Sequence, residues 1–465
     1  MLAARTAQPT RPAASAPAAE KGRFGRPAAL SAISGLGWAS VEAPKPAILR
    51  DPHGLPAGAA RAGVLSSRAV DAAEVGDTRR RVPELDGLRG LAILLVLVRH
   101  YVWGEMEPSP GSAAAALKAA IALSWSGVDL FFVLSGFLLT GVLLKNRGSP
   151  AYFRTFYVRR ACRIVPPYYA LVAVAFASTA LMDRGLVAQA QFRHLLPLWS
   201  YLTFTQNVLM AGADNFGSQW LGVTWSLAIE EQFYLCLPLL VWLIAPPVFP
   251  YAAAALVLLA PAVRMALFDF HPAHGFAAYV LMPARADALL LGALLAWGWR
   301  SEGWRRNVAD SRSALYLSLL VLLAGAALLT RHGWFATTEP IVYVGYSWLA
   351  ALYAVLMLLV LSAGAGPLGW IMRRAWLRGL GRVSYALYLV HVPISRILHA
   401  ALLGDYPRLV DRRTALVTVL SLLASLGLAS ASWVLMERRI IRFGHSFSYW
   451  PPSPAPEERA AALGA

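Results

Sequence analysis

Arg89 and His100 stand eleven residues apart in PELDGLRGLAILLVLVRHYVW, residues 83–103. A helix turns about 100° per residue. Eleven steps therefore return a side chain to within about 20° of the same face, roughly 16 Å further along the axis. His100 then lies deep in an apolar run long enough to cross a bilayer, where an ionisable group is costly and marks a functional position by default. A neutral imidazole can take a proton from a hydroxyl or attack a carbonyl itself. It can also simply be satisfied by a neighbouring helix, and position alone serves both readings.

Two carboxylates are placed to work with it. Asp129 lies about seven residues into the second apolar run, and Glu230, with Glu231 beside it, about seven residues into the fourth. With an outward-facing end for each run, His100, Asp129 and Glu230 fall at one depth. A carboxylate there could orient the imidazole and stabilise its charged form. A proton-coupled carrier would use the same residue types, so chemistry alone does not separate enzyme from transporter. Asp287, close to Arg285, reads as a structural partner for a basic group, and Arg264 and His391 are weaker candidates for the site. A second cluster is Arg159, Arg160 and Arg163. Arg160 and Arg163 are three apart and share a helix face, where two guanidinium forks can grip a phosphate. The alternative is a basic anchor at the membrane surface.

These residues need a membrane scaffold to hold them. The chain has 465 residues, of which 58% are hydrophobic and only 14% charged, too apolar for a soluble domain. Its net charge of +17 does not point to nucleic acid, because Lys and Arg lie between apolar runs rather than in one stripe. The apolar segments are 88–106, 122–144, 164–182, 223–245, 251–268, 282–299, 314–330, 341–362, 380–403 and 414–436. The expected fold is therefore an all-α polytopic bundle of about ten transmembrane helices in the inner (plasma) membrane. Basic loops, including Lys145 to Arg163, gather on one side, which places both termini in the cytoplasm. Pro166 and Pro167 suit the first turn of the third segment. Residues 183–222 are too polar for a span and read as interfacial or re-entrant. Residues 1–82, rich in Ala, Pro, Gly, Arg and Ser, read as a disordered cytoplasmic tail; 83–442 form the membrane domain, and 443–465 a short polar tail. Cys162 and Cys236 imply no disulfide framework, and His271 and His274 lack partner ligands, so no metal site is expected.

Taken together, these motifs resemble the integral-membrane acyltransferase 3 family, which includes bacterial O-acetyltransferases of polysaccharides, lipopolysaccharide, peptidoglycan and macrolides. LDGLRGLAILLVLVRH resembles the family's Arg-x10-His opening. GVDLFFVLSGFLLT, RRACRIVPPYY and TWSLAIEEQFYL resemble its FFxLSGF, Arg-x-x-Arg and WSLxxEExFY segments, and RADALLLGALLA and LGRVSYALYLVH two later ones. The match runs from Pro83 to Arg442. It departs at MERRII, where Arg439 stands in place of a proline common in the family.

The resemblance implies an acyl-CoA donor, usually acetyl-CoA, and an acceptor hydroxyl on a glycan or lipid-linked sugar. It implies His100 as the main catalytic residue, with Arg89, Arg160 and Arg163 also required. On this expectation Glu230, and less directly Asp129, tune His100, and Arg159 joins the pair that holds CoA. Arg89 binds CoA or pairs with Asp86. Many relatives carry an added extracellular hydrolase-like domain. Without one, this chain would complete the transfer itself or with a separate periplasmic or extracellular transferase. A polytopic carrier and a non-catalytic partner in envelope-polymer assembly are the alternative readings.

Overall fold

The computed structural model describes residues 82–182, 189–192, 194–331, 335–362 and 366–451. The expected N-terminal tail thus lies outside the described residues except for Val82, and so does 452–465 of the C-terminal one. Among the described residues the only β-type pairing is one isolated bridge, Met106 with Leu409. Everything else regular is helix.

Eleven helices carry the site and the bundle: α1 (Pro83–Val98), α2 (Gly127–Lys145), α3 (Tyr152–Met182), α4 (Trp225–Leu243), α5 (Phe249–Phe270), α6 (His274–Val280), α7 (Met282–Trp299), α8 (Arg312–Arg331), α9 (Tyr346–Ser362), α10 (Ala375–Leu403) and α11 (Arg412–Ser432). Among the described residues, eight helical stretches are long and apolar enough to cross a membrane, and the pair α6–α7, bent by 41°, makes up to nine. The expected count of about ten is therefore not reached on length and composition. The first expected segment accounts for the difference: α1 is only 16 residues of α-helix and continues as a π turn, Arg99–Trp103.

The polarity of the bundle is that of a membrane protein. Leu258 on α5 and Leu317 on α8 are 77% and 62% exposed, while Arg264, Arg285, Asp129 and Asp287 are at most 1% exposed. Apolar side chains face outward and charged ones inward, the arrangement that lipid imposes.

Close helix contacts at glycines set the relative positions of the key helices. A Cβ added at Gly90 would fall 2.0 Å from the Leu377 carbonyl oxygen, and one at Gly381 1.9 Å from that of Asp86, so α1 and α10 meet backbone to backbone. Gly136 and Gly292 do the same for α2 and α7, with added Cβ atoms 1.8 Å from the Leu289 oxygen and 2.1 Å from the Val133 oxygen. Small residues at such crossings are how helices approach closely in lipid, where no hydrophobic force drives them together.

One local expectation is corrected. Lys145 to Arg163 is not a loop throughout: α3 starts at Tyr152, so Arg159, Arg160 and Arg163 are helical and Pro166 and Pro167 lie inside the helix. Tertiary packing outweighs the proline signal here. Tyr152 and Phe156 are buried, and the Tyr152 hydroxyl donates to the Pro238 carbonyl of α4 at 3.2 Å. Among its described residues, 183–221 holds no helix long and apolar enough to cross a membrane. Where described, it folds onto the bundle as the short helices Leu198–Leu202 and Gln206–Ala213. Gln206 Nε2 donates to the Thr224 carbonyl at 3.0 Å and Asn207 Nδ2 to that of Val280 at 3.0 Å.

Candidate active site

α1 runs between two cavities. Arg89, in its first half, lines one of them together with Arg160 and Arg163 of α3, Ser135 of α2 and Glu230 and Tyr234 of α4. His100, in the π turn at its other end, lines the second, with Arg99, Gln219 and Arg396. Val128 and Tyr388 belong to the walls of both. Arg89 and His100, expected on one face, thus line two different cavities that meet at shared wall residues. The π turn adds a residue per turn, a device common at functional sites, and Arg99 and His100, though adjacent, both face the second cavity.

In the first cavity, Arg160 and Arg163 make no hydrogen bond within the protein among the described residues, and they sit close enough to repel each other. Two part-buried forks with free donors suit an anion. Glu230 accepts from Ser135 Oγ at 2.7 Å, and Ser135 Oγ takes the Tyr234 hydroxyl at 3.0 Å. The charge of Glu230 is within reach of both guanidinium groups. Arg89 stands 3.5 Å from Asp86, one of the two roles expected for it. Arg159 points elsewhere: its Nε and Nη2 donate to the Phe447 carbonyl at 3.1 and 2.8 Å, which ties α3 to the chain after α11 rather than to a ligand.

Around His100 the hydrogen bonds determine where the protons sit. Nδ1 of His391 is 3.1 Å from the Leu387 carbonyl and 2.7 Å from that of Tyr388. Carbonyls only accept, so this nitrogen carries hydrogen, and in the neutral ring Nε2 is the acceptor. That Nε2 lies 3.2 Å from His100 Nδ1, which is also 3.0 Å from the Val96 carbonyl. His100 Nδ1 is accordingly the donor of its ring. Its Nε2 keeps the lone pair and has no protein partner among the described residues. An imidazole held in this tautomer is a base or nucleophile ready to act.

The expected cluster of His100, Asp129 and Glu230 is not what the bundle builds. Glu230 belongs to the first cavity. Asp129 pairs with the buried Arg285, whose guanidinium stacks on Tyr346 at 3.8 Å. Asp287 takes Arg264 at 2.8 Å, so each of the two acids is committed to a buried arginine. The neighbour of His100 is His391, a weaker candidate in the sequence. Tyr388, Arg99, Arg396 and Gln219 were missed. The run YLVHVPISR carried a signal for three of the neighbours: Tyr388, His391 and Ser395 recur at three- and four-residue spacing on one face of α10. No metal-binding group of His, Cys, Asp or Glu occurs among the described residues.

A family model described as an acyltransferase domain matches residues 82–435. The peptidoglycan O-acetyltransferase OatA of Listeria monocytogenes is 29% identical over 338 residues, covering 68% of this chain and 50% of that protein. The O-acetyltransferase OatA of Staphylococcus aureus is 26% identical over 332 residues, 68% of this chain and 51% of that protein. The chain thus spans about half the length of these curated relatives. No solved structure matches it significantly.

Proposed function

The chain belongs to the acyltransferase family whose model it matches, and on that premise we propose that it transfers an acetyl group from acetyl-CoA to a hydroxyl of a cell-envelope glycan or lipid-linked sugar. The observation that supports this reading is the pair of cavities. One holds an anion clamp, the other a base, and Val128 and Tyr388 stand in the walls of both.

On this reading the clamp faces the cytoplasm, where CoA is found, and the bias of basic loops supports that orientation. Arg160 and Arg163 hold CoA phosphates, with Arg89 beside them. The pantetheine arm runs along α1 past Tyr388, whose hydroxyl is held by Ser226 Oγ at 2.6 Å and the Val223 carbonyl at 2.9 Å. The acceptor reaches His100 from the opposite end. His100 Nε2 takes the proton of the acceptor hydroxyl as its oxygen attacks the thioester carbonyl. The carbon–sulfur bond breaks, CoA leaves as thiolate and regains a proton, and the products are an O-acetyl ester and free CoA. His391 holds His100 in the required tautomer. Glu230 acts at the clamp, partly offsetting its charge, rather than on His100.

The test uses the full chain in nanodiscs with radiolabelled acetyl-CoA and a crude envelope glycan acceptor. Thiol release with label on the glycan is expected. Arg160→Gln/Arg163→Gln should raise KM for acetyl-CoA about tenfold to hundredfold, since a hydrogen bond to a charged group contributes roughly 1.5–3 kcal/mol. Folded protein that binds no acetyl-CoA and releases no thiol, but moves solute across a vesicle membrane, would overturn the enzyme in favour of a carrier.

A further inference from the structure

The cavity around His100 has a chemical character that the transfer reaction alone does not require. Arg99 and Arg396 both line it, and among the described residues neither guanidinium hydrogen-bonds to any acceptor. Nη1 of Arg99 is sealed from solvent with no partner, and the group is held in place by stacking, 3.9 Å from the Trp103 ring centre. Lys118 Nζ lies over the same ring at 4.8 Å. Among the described residues Glu105 is the only acid in the lining, and its oxygens already take the hydroxyls of Ser395 at 3.4 Å and Thr418 at 3.2 Å. Positive charge therefore exceeds negative beside the catalytic histidine. Leaving buried guanidinium donors unmet is costly, and a site that does so is shaped for an acceptor that arrives with its own anion.

The rest of the wall fits a sugar. Trp103, Trp125, Trp225, Phe276, Tyr279 and Phe335 present apolar rings to the space. Gln219 Oε1 is buried without a partner, a ready acceptor for a hydroxyl or amide hydrogen. Aromatic walls with a few convergent polar groups orient a ligand of this kind.

We propose that the acceptor is an anionic sugar, carrying a carboxylate or phosphate that Arg99 and Arg396 grip while its ring lies against the aromatic wall and a hydroxyl meets His100. This rests on the acyltransferase reading for the identity of the cavity's ligand. Its test compares methyl glucuronoside, the neutral methyl ester of that sugar, and a methyl glucoside phosphate, titrated into the full chain in nanodiscs. Binding is followed by tryptophan fluorescence and thiol release from acetyl-CoA in the same samples.

The anionic sugars should bind tenfold to hundredfold more tightly than the ester, and the larger of the two responses identifies carboxylate or phosphate as the natural group. Arg99→Gln/Arg396→Gln should bring the ratio to about one, with acetyl-CoA binding at the far cavity as the check on folding. Arg99→Lys/Arg396→Lys should keep part of the preference. Equal binding of anionic and neutral sugars by the wild type would overturn the proposal, and so would a preference that survives the Gln variant. An anion preference without any thiol release would support the anion site while removing the acyltransferase reading, so the two failures are distinguishable.

Discussion

His100→Ala is expected to lower acetyl transfer by about 10²–10⁴-fold, the range that a general base contributes, with little effect on the binding of acetyl-CoA. The size follows from the geometry: the free lone pair of the His100 ring is on Nε2, because Nδ1 is committed to Val96 and His391. Single-turnover transfer of label measures the loss, and a thermal melt in detergent shows that the fold survives. Normal transfer by a folded His100→Ala protein would remove His100 from the chemistry. A companion pair tests how the tautomer is held. His391→Leu removes the acceptor facing Nδ1 and should slow transfer about tenfold or more, the order of one lost hydrogen bond of this kind. His391→Gln places an amide oxygen near the position of Nε2 and should restore part of the rate. If the two variants behave alike, His391 is only packing.

Asp129→Ala should cost about 3–5 kcal/mol of stability, as breaking a buried ion pair does when one charge is left alone. Asp129 and Arg285 are each 1% exposed, and among the described residues Nε and Nη1 of Arg285 have no hydrogen-bond partner, so Asp129 is the acid in direct contact with its charge. Chemical denaturation in detergent would show this as a lower midpoint. Asp129→Leu/Arg285→Met replaces the pair with apolar side chains of similar bulk, and should recover most of the loss. The decisive reading is activity in that double variant. Transfer retained in a restored fold makes Asp129 structural. A stable but inactive double variant would return it to the catalytic group.

Asp129 shows where a sequence can mislead. In the chain alone, Asp129, Glu230 and His100 look alike: ionisable groups at similar distances from the ends of apolar runs. Depth is legible from counting residues, but facing is not. Asp129 turns to α7 and Arg285, where the crossing at Gly136 and Gly292 fixes how α2 meets α7, while Glu230 turns to the arginine clamp. Arg159 is a similar case. One residue from Arg160 on a helix, it points about 100° away, to the Phe447 carbonyl.

The amino-acid sequence by itself determined the helical membrane class, most segment boundaries, the family resemblance, and the residues of α1 and α3 whose spacing carries charge to a chosen face. Segment 282–299 coincides with α7, and 341–362 with the π turn and α9 together. Those features are local. They depend on apolar run length and on the 3.6-residue period, both of which act within one helix. Only the tertiary structure decided that His391 rather than a carboxylate stands beside His100, that two cavities share Tyr388, and that Arg99 and Arg396 face the same space. Each of these joins residues hundreds of positions apart, and each is set by which helix faces meet. In lipid that choice rests on close packing and hydrogen bonds between particular side chains, not on the hydrophobicity that made the segments readable.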